Sequence, residues 1–322
     1  MRQGRTPIGT VTITGAFSYT GKYATQLLLD RGFRARTLTN HPDRKNPFGD
    51  QVEVFPYHFE DPEELSKTLR GSSVLINTYW VRFPRGESTF KTAVENTRAL
   101  IAAAKNAGVE RIIHVSIANP SAESPLGYYR GKAELEQAVM DSGLSYTILR
   151  PTVIFGTEDI LINNIAWFIR HFPVFGIPGN GQYRIRPIYV EDIAHSIVEA
   201  AGQSGNCVLD AVGPETFTFE ELVMLIARKV GRSPRLIHMP TILAYLATMV
   251  TGWFVRDVIL TWDEYRGLMS DLLAPDGPAL GQTRLSQWLT ENREKVGTQY
   301  ASEVARHYAA GSRDRIDSLN YV

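Results

Sequence analysis

Apolar and polar positions change period repeatedly along the first 150 residues, from short β-branched runs to helical spacing and back. Thr10–Thr14 (TVTIT) predicts a strand, residues 21–31 carry apolar positions at helical spacing, and Arg34–Thr39 returns to a strand. Residues 52–55 form a further short strand. Asp61-Pro62-Glu63-Glu64 then opens a helix, with an Asp suited to capping, a Pro at the first helical position and acids in the first turn. Strands at 74–77, 111–116 and 146–149 alternate with helices at 89–107 and 128–142. The runs Val-Leu-Ile, Ile-Ile-His-Val and Thr-Ile-Leu are apolar on both faces, as covered parallel strands are. Together these segments predict an α/β fold, a doubly wound parallel sheet with helices on both sides.

After Arg150-Pro151 the rhythm breaks, and Gly, Pro and aromatic residues crowd positions 155–183. Strand–helix patterning returns at 188–201 and 207–209, a helix follows at 219–230, and the chain from 236 onward reads as mostly helical. The expected organisation is a sheet domain over residues 1–150, rejoined by 187–211, with a smaller, mostly helical C-terminal cap built from 151–186 and 212–322. Ligands of such sheets bind beyond the carboxyl ends of the strands.

Composition narrows the classes. The 322 residues carry 34 Lys plus Arg and 34 Asp plus Glu, which leaves no electrostatic footprint for nucleic acid. Cys207 is the only cysteine, so no intrachain disulfide can form, and its apolar run Cys207-Val208-Leu209 reads as a buried structural thiol in a reducing cytoplasm. The seven histidines are scattered without ligand spacing, so no metal is expected. No G-x-S-x-G elbow supports hydrolase chemistry. The segment MRQGRTPIG has no apolar signal region. Residues 239–255 form the longest uncharged apolar stretch. They fall short of the roughly 20 residues that span a bilayer. That length favours a buried helix over a peripheral membrane or protein contact. Oligomeric state is left open.

Candidate chemistry begins at residues 11–21, VTITGAFSYTG, where a β-branched strand meets a Gly-containing turn that opens a helix. Such turns present backbone N–H groups and the positive end of a helix dipole to a pyrophosphate. Gly15 allows the tight turn and Gly21 allows close helix–strand packing, while Ser18 stands where the middle glycine of the full fingerprint is usual. Tyr128 and Lys132 lie four apart on one predicted helix face. A neighbouring ammonium lowers a phenol's pKa and makes it a workable acid or base. The bland reading is a packed tyrosine and a solvated lysine.

These elements resemble the atypical or extended short-chain dehydrogenase/reductase superfamily, which has a Rossmann-like fold. The resemblance rests on TGAFSYTG, on the Y-x-x-x-K of Tyr128 and Lys132, on LRPTVIFG (149–156) and on PIYVEDIA (187–194). SGLSYTILRP, VEDIA and TRLSQWL are similar to segments of NmrA-like proteins and of the NAD(P)H-binding accessory subunit of respiratory complex I. The resemblance implies cofactor contacts from Gly15, Phe17, Ser18, Tyr19, Thr20, Gly21, Asn40, Asp61, Asn77, Lys132 and Pro151. It implies a catalytic set of Tyr128, Lys132, Ser116 and Asn96, with Asn96 on a water relay. Ser116 occupies the first position of its small-residue run, earlier than the family's serine, so it either orients a carbonyl or caps the strand. The tip of the second strand carries no acid, and Arg44 and Lys45 follow closely, which favours NADP(H) over NAD(H). Tyr79, Trp80 and Phe155 are the aromatic candidates for a hydrophobic small-molecule substrate such as a carbonyl, enone or quinone. The expected function is therefore an NADP(H)-dependent oxidoreductase. The alternative is a non-catalytic NAD(P)H-binding redox sensor, or an assembly or accessory subunit of a larger complex.

Overall fold

A computed structural model describes residues 9–304. They divide into two compact units, the first formed by residues 9–154, Ile185–Thr216 and Leu272–Leu285, the second by Phe155–Arg184, Phe217–Asp271 and residues 286–304. In chain order the elements are β1 (Thr10–Thr14), α1 (Tyr19–Asp30), β2 (Arg34–Thr39), β3 (Val52–Pro56), α2 (Pro62–Leu69), β4 (Ser72–Asn77), α3 (Phe90–Asn106), β5 (Arg111–Val115), α4 (Gly127–Met140) and β6 (Ser145–Pro151). They continue with β7 (Ile154–Phe155), α5 (Leu161–His171), β8 (Val174–Pro178), β9 (Arg184–Ile185), β10 (Ile188–Tyr189), α6 (Val190–Ala201) and β11 (Cys207–Ala211). The last are β12 (Phe217–Thr218), α7 (Phe219–Lys229), β13 (Arg235–Met239), α8 (Thr241–Val255), α9 (Trp262–Met269) and α10 (Leu285–Glu291).

The first unit is a seven-stranded sheet in the order β11-β6-β5-β4-β1-β2-β3. Every pairing in it is parallel. This is the doubly wound parallel sheet that the alternation predicts. Because β1 pairs with β2 on one side and β4 on the other, the strand order reverses there and leaves a crevice beyond the carboxyl ends of β1 and β4.

Adjacent apolar residues serve opposite faces of this sheet. Ile113 and Leu149 join Val11, Ile13 and Leu28 under α1 and α6. Ile112 and Ile148 join Leu65, Leu75, Leu100 and Val139 under α2, α3 and α4. The period-2 geometry of a strand therefore requires unbroken apolar runs wherever helices cover both sides. Each such side chain, fully buried, contributes about 1.5–3 kcal/mol. The Asp192 carboxylate of α6 accepts from Gln282 N (2.9 Å) and Thr283 N (2.8 Å), tying the 272–285 segment to the first unit.

Several boundaries differ from the sequence expectation. Helix α1 begins two residues early, because Ser18 already has extended backbone and serves as its N-cap. Strand β4 extends back to Ser72, whose hydroxyl pairs with Thr12 Oγ1 at 2.6 Å. Cys207 is half-buried rather than fully buried, with Sγ 3.3 Å from Thr147 Oγ1.

In the second unit, residues 235–239 form a strand parallel to β8, in a stretch that reads as helical. Helix α5 occupies part of the Gly-, Pro- and aromatic-rich region. Its Asn164 accepts from Ala301 N (2.8 Å), and Asn163 accepts from Gly297 N (3.2 Å). The expected buried helix of 239–255 is instead strongly exposed. Only Ala244 and Gly252 of α8 are buried, while Ile242, Trp253 and Phe254 are 65%, 76% and 72% exposed. An apolar sequence with no polar face cannot signal which of its sides will find a neighbour. No helix among the described residues is long and apolar enough to cross a membrane.

Candidate functional site

The Gly-containing turn lies at the topological reversal. Gly15 takes φ +68°, a left-handed conformation that glycine adopts without strain, and donates its N–H to Leu38 O (2.9 Å) at the end of β2. Ser18 N–H donates back to Gly15 O (2.9 Å), and Lys22 N–H begins the helical ladder on Ser18 O. Helix α1 has no side-chain cap and no acid in its first turn. Its start is therefore suited to an external anion. A Cβ at Gly21 would meet Gly15 O at 2.0 Å, so only glycine allows the helix to come this close to the turn. Phe17 stacks on Phe48 (6.3 Å), while Tyr19 and Thr20 are half-buried in the first turn of the helix. These features fit a dinucleotide pyrophosphate.

Around the turn, the remaining cofactor candidates take different positions. Asn40, Arg44 and Lys45 lie exposed in the loop after β2. Asp61 caps α2, accepting from Glu63 N (3.1 Å) and Glu64 N (3.0 Å). Pro151 ends β6, with its carbonyl accepting from Ala118 N. Asn77 is fully buried, and its Oδ1 accepts from Thr14 Oγ1 and Tyr79 N, both at 3.1 Å. Its Nδ2 donates to His114 Nδ1 at 3.0 Å.

The Asn77 bond determines a tautomer. Because Nδ1 of His114 accepts, the ring proton sits on Nε2, which is buried without a partner among the described residues. Burial, with a smaller effect from Lys132, holds the His114 pKa well below the usual histidine value, so the ring is neutral. Sequence reading missed His114. Its signal was a lone histidine in a covered strand, two residues before Ser116 and so on the same face of the extended chain. Ser116 Oγ and Trp80 Nε1 are also buried and unpartnered among the described residues.

Tyr128 and Lys132 do share one face of α4, and both meet Trp80. Tyr128 stands edge-on to the indole at 5.5 Å, and Lys132 Nζ lies 4.6 Å from a Trp80 ring centroid. Lys132 is buried, and its ammonium donates to Val115 O (2.9 Å), one residue before Ser116. Burial lowers its pKa to about 7, with the Glu136 carboxylate acting in the opposite sense. Gly131 makes room for the indole, since a Cβ there would reach Trp80 at 2.8 Å. Trp80 also stacks on Phe90 at 5.9 Å.

Other candidates lie apart from this group. Asn96 donates to the Tyr79 hydroxyl (2.9 Å). Burial raises the Tyr79 pKa, partly offset by that bond. Tyr79 packs with Tyr57 and Phe59, each at 5.3 Å. Phe155 has no exposed surface and packs against Trp288 (5.5 Å) in the second unit. Arg150 is held by Glu136 through Nε (3.0 Å) and a second nitrogen (2.5 Å). Among the described residues no cluster could hold a metal ion.

Fold, turn and helix start together define a dinucleotide-binding domain of the doubly wound class. Comparison with known proteins makes this specific: residues 15–163 match a family described as NAD(P)H-binding. Residues 15–163 thus carry an NAD(P)H-binding domain, and the sheet they contribute to is Rossmann-like. The chain is 27% identical over 284 residues to a mitochondrial protein of Arabidopsis thaliana, NADH dehydrogenase (ubiquinone) 1 alpha subcomplex subunit 9, covering 82% of this chain and 71% of that one. The Dictyostelium discoideum protein of the same name is 30% identical over 226 residues, and the match covers 67% of this chain and 62% of that one. A ceramide reductase of Caulobacter vibrioides is 29% identical over 239 residues, 72% of this chain and 74% of that one. Among solved structures, an NADPH-dependent quinone oxidoreductase of Escherichia coli superposes with a TM-score of 0.72 at 22% identity, covering 88% of this chain and 98% of that one.

Proposed function

We propose that the chain is an NADP(H)-dependent oxidoreductase acting on a hydrophobic carbonyl, enone or quinone. The observation that carries this reading is the convergence of Tyr128 and Lys132 on one indole, with the Lys132 ammonium bonded to the carbonyl just before Ser116. When bound, the cofactor supplies or accepts the hydride. Tyr128 gives or takes the proton at the substrate oxygen, Lys132 stabilises the phenolate and holds a ribose hydroxyl, and Ser116 Oγ donates to the same oxygen. The likeness to the Caulobacter ceramide reductase supports the reductase class. Tyr128→Phe is expected to lower turnover by about 10²–10⁴-fold in a screen of quinones and enones while leaving cofactor affinity unchanged. Turnover at the unsubstituted level would sink the mechanism.

The preference for NADP(H) rests on Arg44 and Lys45 beside the turn, with no acid at the end of β2. Replacing both by Glu is expected to weaken NADPH binding about tenfold or more in a calorimetric titration, with NADH changed far less. Equal losses for both cofactors would remove these residues from the 2′-phosphate.

A second reading is a non-catalytic NAD(P)H-binding subunit or assembly factor of a larger complex. It is favoured by the Arabidopsis and Dictyostelium relatives, which are named as subunits of such a complex. It is also favoured by Trp80, which covers the Lys132 ammonium. Binding of NADPH without turnover of any carbonyl, enone or quinone would select it.

A further inference from the structure

Helix α8 carries the largest exposed apolar face among the described residues, and its surroundings indicate what covers it. Its buried side holds Ala244 and Gly252, and Tyr245 packs on Trp262 (5.2 Å) and Tyr265 (5.7 Å) of α9. At 100° per residue, the exposed positions between Ile242 and Phe254 fill an arc of about 160°. Every side chain in that arc is apolar, including Leu243, Leu246, Val250 and Trp253. Val174 of β8 and Ile237 of β13, in the strand pair that α8 contacts, are exposed as well. Fifteen residues make a helix about 22 Å long, too short to cross a bilayer.

Charge distinguishes the occupants. The whole chain balances its acids and bases, yet no acidic residue occurs between Glu221 and Asp257. Arg228, Lys229, Arg232, Arg235 and Arg256 all fall within that interval. Arg228, Arg232, Arg235 and Arg256 are exposed, and Arg256 terminates α8 in a left-handed cap (φ +55°) beside Trp253 and Phe254. A broad convex apolar arc, an aromatic pair at its end and a run of exposed arginines, with Glu220 on His238 as the acid at β13, match the interface of an anionic bilayer. A partner helix lying in a groove uses a narrower stripe than this arc.

We propose that α8 lies in the plane of an anionic lipid surface, its Ile242–Phe254 face sunk to acyl-chain depth, with Arg256 at its end and Arg235 of the adjoining strand pair on the headgroups. This anchoring is independent of nucleotide binding and would hold for either functional reading. The test is sedimentation of the full chain with vesicles of phosphatidylcholine alone or mixed with phosphatidylglycerol, at low and high salt. The expected result is co-sedimentation with the anionic vesicles, weakened by salt. Leu246→Glu with Trp253→Glu should reduce partitioning by about tenfold or more, and Arg235→Glu with Arg256→Glu should remove the preference for anionic lipid. Unchanged melting curves would show that these surface variants remain folded. Protein left in the supernatant with both vesicle types overturns the proposal. So does a dimer in solution that Trp253→Glu dissociates, since a second copy would then be the occupant.

Discussion

Gly21→Ala is expected to weaken NAD(P)H binding by on the order of 10²-fold. The added Cβ would lie 2.0 Å from Gly15 O, 2.8 Å from Ser18 Oγ and 2.9 Å from the Gly15 carbonyl carbon. The side chain of Ser18 can rotate away, but the carbonyl cannot. Gly15 O already accepts from Ser18 N, and Gly15 N donates to Leu38 O, so moving that peptide breaks the turn at both ends. Either the turn opens or the start of α1 shifts by about an ångström, enough to cost on the order of 10²-fold in a geometry-dependent contact. Overpacking of this kind also destabilises by about 1–3 kcal/mol. Calorimetric titration with NADPH and a thermal melt measure the two effects. Ser18→Ala is the control: its hydroxyl caps no amide of α1, so the variant should keep its melting temperature. A Gly21→Ala protein that binds NADPH normally would mean that the nucleotide does not use this turn.

The places of Gly15 and Gly21 are legible in the sequence itself, because strand, turn and helix are local and each has its own residue signal. The same holds for Asp61 at the start of α2, where one polar side chain meets amides two and three residues away. What could not be read depends on distant partners. Strand β13 exists because Arg235 pairs beside Val174, more than fifty residues earlier, and nothing in its own sequence names that neighbour. The exposure of α8 is of the same kind. The site divides likewise: the four-residue spacing of Tyr128 and Lys132 was enough to predict a shared face, whereas the indole between them comes from another segment. The Thr14–Asn77–His114 chain joins three strands, so its effect on the histidine tautomer emerges only from their register.

Lys132→Met should separate the demands of function from those of stability. Burial, opposed in part by Glu136, holds the folded-state pKa near 7. The unfolded chain has a lysine pKa of about 10.4. Between those two values the unfolded state binds more protons than the folded one, so the stability of the natural protein rises with pH across that window. Below pH 7 the fold carries the full cost of a buried ammonium, relieved only by the Val115 carbonyl and the Trp80 ring. Methionine fills similar volume without charge. The variant should therefore melt above the natural protein at pH 6, and the difference should shrink as the pH approaches 10. Turnover should fall by about 10²-fold or more, because the ammonium no longer supports the Tyr128 proton transfer. A ribose hydroxyl accepting from Lys132 would favour its charged form. NADPH binding at pH 8 should then take up on the order of one proton, detectable by calorimetry in buffers of different ionisation enthalpy. That uptake should vanish in Lys132→Met. A melting difference that does not change with pH would show that Lys132 keeps its proton throughout. Proton uptake that survives the substitution would assign it to another group.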